Sequence, residues 1–172
     1  MINHFWGLVI TAGALLSATV LTGPARADSA KILGKFGRWS SYAYSDRAGK
    51  ICYAATVPER SLNAPKRRGE VFLSVTDRTA DHSIGVVSVT EGYAYKKDAS
   101  AEIDIDGKKF GLFTTGNSAW ARDDKAVVRT MMNGKTMLVY GTPVKGGQSV
   151  DTYSLDGFAK AIAETDRACR LK

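Results

Sequence analysis

Short segments in which apolar and polar residues alternate recur along most of the chain and predict β-strands. In residues 70–76, Val71, Leu73 and Val75 fall on one face, and 136–142 is an apolar run of strand length. The same reasoning gives strands at 37–44, 50–57, 86–89, 101–113 and 149–153, about seven or eight in all. Strands and helices do not alternate, which favours a mainly β protein, an antiparallel β-sandwich or small barrel.

The clearest local prediction is a hairpin over residues 101–113. Asp106-Gly107 suits a two-residue type I′ turn, because glycine accepts a positive φ and aspartate tolerates it. The resulting register pairs Ile105 with Lys108, Asp104 with Lys109, Ile103 with Phe110 and Ala101 with Leu112. This register places apolar residues on one face and charged residues on the other, so turn chemistry and pattern agree.

Two helices are predicted. A short one near 123–132 begins where Asp123 or Asp124 can cap it, and Asn133-Gly134 is a fitting end. A C-terminal helix near 155–168 has one apolar face, formed by Leu155, Phe158, Ile162 and Cys169. The remaining segments are predicted loops, including 59–68 and the segment that carries Trp120, which is either a core residue, the favoured interpretation, or a contact residue.

The start of the chain is typical of a cleaved signal peptide over residues 1–27. Residues 5–21 are apolar and uncharged, and Ala25-Arg26-Ala27 has the small-x-small pattern of a cleavage site. A membrane anchor is the alternative, but the run is short and no basic cluster follows it. Cleavage would leave 172 − 27 = 145 residues, a single β-rich domain over 28–172, without stable membrane insertion. We therefore expect a periplasmic or secreted protein.

Export changes the interpretation of the two cysteines. In an oxidising compartment Cys52 and Cys169 most simply form one disulfide bond between a strand and the last helix. A reactive or intermolecular thiol is the alternative, although neither cysteine belongs to a CxxC motif.

The chain has 24 Lys and Arg against 17 Asp and Glu, a formal charge of +7. Basic pairs and triplets make a polyanion surface conceivable, and its candidate residues are Lys66, Arg67, Arg68, Lys96 and Lys97. Export argues against nucleic acid as the partner, so an envelope or host component is the better expectation. A solvated basic face that only aids solubility is the favoured interpretation of these clusters.

Little in the sequence indicates catalysis, and no cofactor or metal site is predicted. His82, the one histidine of the predicted mature chain, lies in a predicted loop beside Asp81 and Ser83, and adjacent residues do not make a triad. Glu102, Asp104 and Asp106 are clustered acids that could serve a cation or a hydrolase, but pairing with nearby lysines is the simpler interpretation.

The C-terminal half resembles the invasion-associated locus B family of exported bacterial proteins. The most specific match is residues 151–158 (DTYSLDGF), preceded by 119–121 (AWA), 127–134 (VVRTMMNG) and Gly141. Trp39, Cys52-Tyr53, Pro58 and Gly92-Tyr93 resemble the family's N-terminal half. The resemblance implies a non-enzymatic protein with an envelope or host-interaction role and supplies no catalytic residues. A binding module for anionic glycans or envelope polymers is the alternative, and an exported hydrolase is a weaker one.

Overall fold

The structure, a computed structural model, describes residues 29–170, so the predicted signal peptide lies outside the described residues. Within that range, eleven strands and two helices follow one another. The strands are β1 (Lys31–Phe36), β2 (Trp39–Ser45), β3 (Lys50–Thr56), β4 (Arg60–Leu62), β5 (Phe72–Arg78), β6 (Ser83–Thr90), β7 (Ala101–Ile105), β8 (Lys108–Thr115), β9 (Ser118–Ala121), β10 (Thr136–Gly141) and β11 (Ser149–Ser154). The helices are α1 (Asp124–Met131) and α2 (Phe158–Cys169).

All eleven strands form one antiparallel sheet, in the order β1-β2-β3-β5-β6-β9-β8-β7-β10-β11-β4. The predicted mainly β, antiparallel fold is confirmed, and the sheet is not closed into a barrel. Residues from both halves of the sheet, such as Trp39 and Leu73 from one and Ile103 and Tyr153 from the other, are fully buried in one common core. The long sheet therefore bends so that its two halves face each other.

The hairpin between β7 and β8 has the predicted register, from Ile105 opposite Lys108 to Ala101 opposite Leu112. Asp106 and Gly107 both have positive φ, 48° and 93°, as a type I′ turn requires. The Asp106 carboxylate also accepts hydrogen bonds from the backbone N–H groups of Lys135 and Thr136, at 2.7 and 3.1 Å. The turn residue therefore also fixes the start of β10.

Both predicted helices are confirmed. The Asp123 side chain caps α1 by accepting a hydrogen bond from the backbone N–H of Ala126 at 3.0 Å. Phe158 and Ile162 point from α2 into the main core, and Cys169 faces a smaller cluster with Cys52. The amphipathic pattern in the sequence therefore identified the buried face of α2 correctly.

Three strands were not expected from the sequence: β1, β4 and β9. All three residues of β4 are exposed, so its sequence carries no alternating pattern, and the segment was expected to be a loop. In β9, Ala119 and Ala121 face the core while Trp120 lies on the outer face, stacked on Phe113 with ring centroids 5.6 Å apart. Trp120 is therefore half-buried on the surface, whereas Trp39 is fully buried in the core.

The predicted disulfide between Cys52 and Cys169 is confirmed, with a Cα–Cα distance of 6.0 Å. It joins the inner face of β3 to the end of α2, and the Ser41 hydroxyl on β2 donates to the carbonyl of Ala161 at 2.8 Å. Helix α2 is thereby held against the inner side of β2 and β3. Within residues 29–170, neither helix has the length and apolar character needed to cross a bilayer.

Candidate functional site

The most unusual chemistry inside the molecule is a buried ionic cluster of Arg68, Asp151 and Glu91. The guanidinium of Arg68 forms two hydrogen bonds with the Asp151 carboxylate, at 2.6 and 2.9 Å, and lies 3.3 Å from Glu91 Oε2. The Asp151 and Glu91 side chains are 0% and 1% exposed, and that of Arg68 is 12% exposed. Sequence analysis placed Arg68 on an exposed basic loop, but its side chain turns inward because Asp151 and Glu91 lie beneath the loop.

The two acids respond differently to the single cation. Burial raises the pKa of Glu91 to about 8, and its hydrogen bond to Asp151 and the charge of Asp151 add to this effect. Burial alone would raise the pKa of Asp151, but hydrogen bonds from Arg68, Glu91 and Ser61 lower it below its usual value of 3.8. At neutral pH the cluster therefore contains a protonated Glu91, an ionised Asp151 and a charged Arg68.

Buried tyrosines surround the cluster. The Tyr93 hydroxyl lies 2.6 Å from Ser149 Oγ, whose own proton points to the carbonyl of Gly141, so Tyr93 donates to Ser149. Burial raises the pKa of Tyr93, Tyr95 and Tyr153, and Glu91, once it is ionised at higher pH, adds to the effect. All three phenols stay protonated, and the cluster is a closed polar region within the core.

The cluster fixes the loop that precedes β5. Arg68 also donates to the Ser61 hydroxyl on β4, and the backbone N–H of Gly69 donates to the carbonyl of Gly92 at 2.8 Å. Gly92 has a φ of 68°, and a Cβ there would lie 2.6 Å from the carbonyl oxygen of Gly69. Only glycine allows the two backbones to approach so closely.

The contact between Gly69 and Gly92 joins two segments that carry basic residues. Lys66 and Arg67 are exposed on the loop before Gly69, while Lys96 and Lys97 are exposed on the segment that follows Gly92. The backbone N–H of Lys96 donates to the carbonyl of Thr142 at 2.8 Å, which fixes that segment as well. We call Lys66, Arg67, Lys96 and Lys97 the basic surface; Arg68 anchors it from below.

The clustered acids of the hairpin are already engaged. The Glu102 carboxylate lies 2.7 Å from Nζ of Lys109, and Asp104 accepts a hydrogen bond from the backbone N–H of Gly107. His82 is exposed in the turn between β5 and β6, with a φ of 54°. In residues 29–170, no three His, Cys, Asp or Glu side chains are placed to hold a metal ion.

Neither Asp151 nor Glu91 is among the site residues predicted from the sequence. Asp151 carries a usable signal, because it alternates with Ser149 and Tyr153, both of which face inward on β11. Because a buried acid needs a hydrogen-bonding or charged partner, an aspartate at an inward position predicts a basic side chain buried beside it. Glu91 follows the end of β6 and offers no such pattern.

Residues 151–158, the most specific part of the family resemblance, are mostly structural. Asp151 binds Arg68, while Tyr153, Leu155 and Phe158 are buried in the core. The segment therefore identifies the fold and its ionic cluster, and its inward-facing residues offer no solvent-facing group for chemistry.

The fold and the cysteine bridge define a disulfide-bonded, mainly β domain built on one long antiparallel sheet. The family model of the invasion associated locus B (IalB) protein matches residues 39–166, so the chain belongs to this family. Among solved structures, invasion associated protein B from Bartonella henselae is similar in fold, with a TM-score of 0.57 and 19% sequence identity over 80% of this chain and 97% of that one. A search of curated proteins finds no match.

Proposed function

We propose that this protein is exported to the periplasm or beyond and acts without catalysis, as an interaction protein at the cell envelope or on a host component. The observation that carries the proposal is the disulfide between Cys52 and Cys169, because such bonds persist in oxidising compartments. Membership in the invasion-associated locus B family supports the same role.

Export is tested by expressing the full chain in its own cell type and fractionating the cells. We expect the protein in the periplasm or medium, with its N-terminus at Asp28 and its cysteines oxidised. Recovery of the full-length chain from the cytoplasm, with two free thiols, would contradict export.

The absence of catalysis is supported by the state of the acidic side chains described above. Glu91, whose pKa is raised to about 8, is buried in the ionic cluster, and Glu102 and Asp104 are engaged within their hairpin. A screen of hydrolase and redox substrates with the purified protein is expected to give no turnover. Turnover lost in a Glu102→Gln/Asp104→Asn variant would instead support the hydrolase alternative.

A second candidate function is the binding of anionic glycans or envelope polymers by the basic surface. The observation that favours it is the exposure of Lys66, Arg67, Lys96 and Lys97 on two segments that the contact between Gly69 and Gly92 joins. Backbone hydrogen bonds hold both segments, so their cations can attract a polyanion without the ordering of a flexible loop on binding.

Retention on immobilised heparin and lipopolysaccharide tests this candidate. A Lys66→Glu/Arg67→Glu variant is expected to lose salt-sensitive retention, while Arg68 is left intact because it is buried. A Lys125→Glu/Lys160→Glu variant is the matched control, since it changes the net charge equally at exposed helix positions. Equal retention of the two variants would show that binding depends only on net charge and not on the basic surface. If the unaltered protein is not retained even at low salt, the candidate function is rejected.

A further inference from the structure

The outer face of β2, β3 and β5 carries a half-open trough that sequence analysis did not predict. Its volume is about 820 Å³, within the range of sites that bind small ligands. We call it the tyrosine trough. Its lining includes Ser40, Tyr42, Tyr44, Tyr53, Ala55 and Ser74.

The floor of the tyrosine trough is made of small side chains on neighbouring strands. Strand register places Ser40 opposite Ala55 and Ala55 opposite Ser74, and all three line the trough. The row crosses three strands, a distance of about 10 Å at the usual strand spacing. The Ser74 hydroxyl lies 2.9 Å from the hydroxyl of Ser88 on β6, so one hydroxyl of the floor already has a partner.

Aromatic rings border this row. Tyr42 and Tyr53 lie opposite each other on β2 and β3 and stack with their ring centroids 4.9 Å apart, and Tyr44 packs edge-on to Tyr53 at 6.5 Å. These rings are half-buried, so each retains apolar surface that a ligand can cover.

The surroundings of the trough narrow the class of ligand. Its floor residues are uncharged, and Arg38 at the rim already has its Nε 2.9 Å from the Glu59 carboxylate. Strands β2, β3 and β5 each pair on both sides, so their backbone groups are not free to add a peptide strand. Helix α2 packs on the opposite face through Ser41 and Cys52. Rings and hydroxyl groups therefore make up most of the lining that a ligand would contact, with Lys35 and Glu70 as its other charged residues.

We infer that the tyrosine trough binds an uncharged oligosaccharide chain. A sugar ring has apolar C–H faces, which pack on tyrosine rings, and a rim of hydroxyl groups, which exchange hydrogen bonds with serine and threonine. A trough with hydroxyls on its floor and rings at its side matches this alternation, whereas a lipid chain would offer the Ser40 and Thr76 hydroxyls no hydrogen-bond partner. The site is separate from the basic surface, so it goes beyond the proposed function.

Binding is tested with the purified protein and short malto-, cello- and N-acetylchito-oligosaccharides, by isothermal titration calorimetry in low and high salt. We expect one of these classes to bind with little salt dependence. A Tyr42→Ala/Tyr44→Ala variant should weaken binding by roughly tenfold or more, because two ring contacts are lost. An Ala55→Phe variant, which fills the floor without removing a contact, should abolish it.

Two variants serve as controls. Tyr140→Ala removes a half-buried tyrosine on β10, outside the trough, and Lys66→Glu/Arg67→Glu alters only the basic surface. Both should bind the oligosaccharide as the unaltered protein does, and thermal unfolding of every variant confirms that it is folded. The inference is overturned if none of the three oligosaccharides binds, if folded Ala55→Phe binds normally, or if binding is salt-sensitive and lost with the basic surface. It is also overturned if the unaltered protein self-associates and the trough variants abolish that self-association instead of oligosaccharide binding.

Discussion

Two attachments hold distant parts of the chain together, one covalent and one ionic. The disulfide joins Cys52 to Cys169 across 117 positions, fixing α2 on β3. The guanidinium of Arg68 joins Asp151 across 83 positions, fixing the loop before β5 on β11. Each one stabilises a contact that local sequence preferences alone would not form.

The two attachments act on different states of the chain. In the chain-entropy description, the disulfide stabilises the fold by restricting the unfolded chain, independently of pH but only while it stays oxidised. The ionic cluster acts in the folded state, where the desolvation of three charged or polar groups opposes their attraction. Its contribution depends on the proton held by Glu91, so one attachment should respond to reductant and the other to pH.

The largest expected effect is the loss of the disulfide. A Cys52→Ala/Cys169→Ala variant should lower the free energy of unfolding by about 4 kcal/mol, because a loop of more than 100 residues is released in the unfolded state. Denaturant unfolding measures this loss, and reduction of the unaltered protein should reproduce it. A variant as stable as the oxidised protein would show that α2 is held by packing alone.

Removal of the cation should have the next largest effect. Arg68→Met leaves Asp151 and Glu91 buried without their guanidinium, which should lower the free energy of unfolding by about 3 kcal/mol. Arg67→Met is the matched control, and its exposed side chain should change stability by less than about 0.5 kcal/mol. Equal stability of the two variants would show that the ionic attachment contributes nothing.

The close approach of the two loops beside the cluster can be tested separately. Gly92→Ala should cost about 2 kcal/mol, because the alanine is strained at a φ of 68° and its Cβ would meet the backbone of Gly69. Gly116→Ala is the control, since Gly116 has a φ of 62° with nothing within 4 Å of the added Cβ, so only strain remains. Denaturant unfolding of both variants isolates the clash, and equal losses would contradict it.

The parts of the fold that sequence predicted follow from rules that act over a few residues. The turn at Asp106-Gly107 sets the register of β7 and β8, and Asp123 caps α1 at the predicted place. The buried face of α2 follows from helical periodicity. The disulfide is the exception, because it was inferred from export and from the presence of only two cysteines.

The parts that sequence missed depend on partners far along the chain. Strand β4 exists because β11 offers an edge to pair with, and Arg60 to Leu62 show no pattern of their own. Arg68 lies in a basic run typical of an exposed loop. Its side chain points inward because it forms hydrogen bonds with Asp151, a residue far along the chain. The tyrosine trough likewise arises from cross-strand register, which places residues from β2, β3 and β5 side by side.

The titration of Glu91 makes the ionic attachment depend on pH, which the disulfide does not. The folded-state pKa of about 8 lies above the ordinary value of 4.5, so the folded protein keeps a proton that the unfolded chain has lost. Stability contributed by this group is therefore complete below about pH 4.5 and falls as the pH rises toward 8, by at most about 1.4 kcal/mol per pH unit. The lowered pKa of Asp151 acts oppositely, but only below its usual 3.8.

Glu91→Gln replaces the protonated acid with an amide that can still donate a hydrogen bond to Asp151 but cannot titrate. Near pH 5 the variant should match the unaltered protein closely, the smallest effect of the set, and toward pH 8 it should become the more stable of the two. Denaturant unfolding at a series of pH values measures the difference, and Glu59→Gln, at an exposed carboxyl, controls for loss of a surface charge. A difference that does not change with pH would mean that Glu91 is ionised in the folded protein, so that the cluster carries two negative charges against one guanidinium.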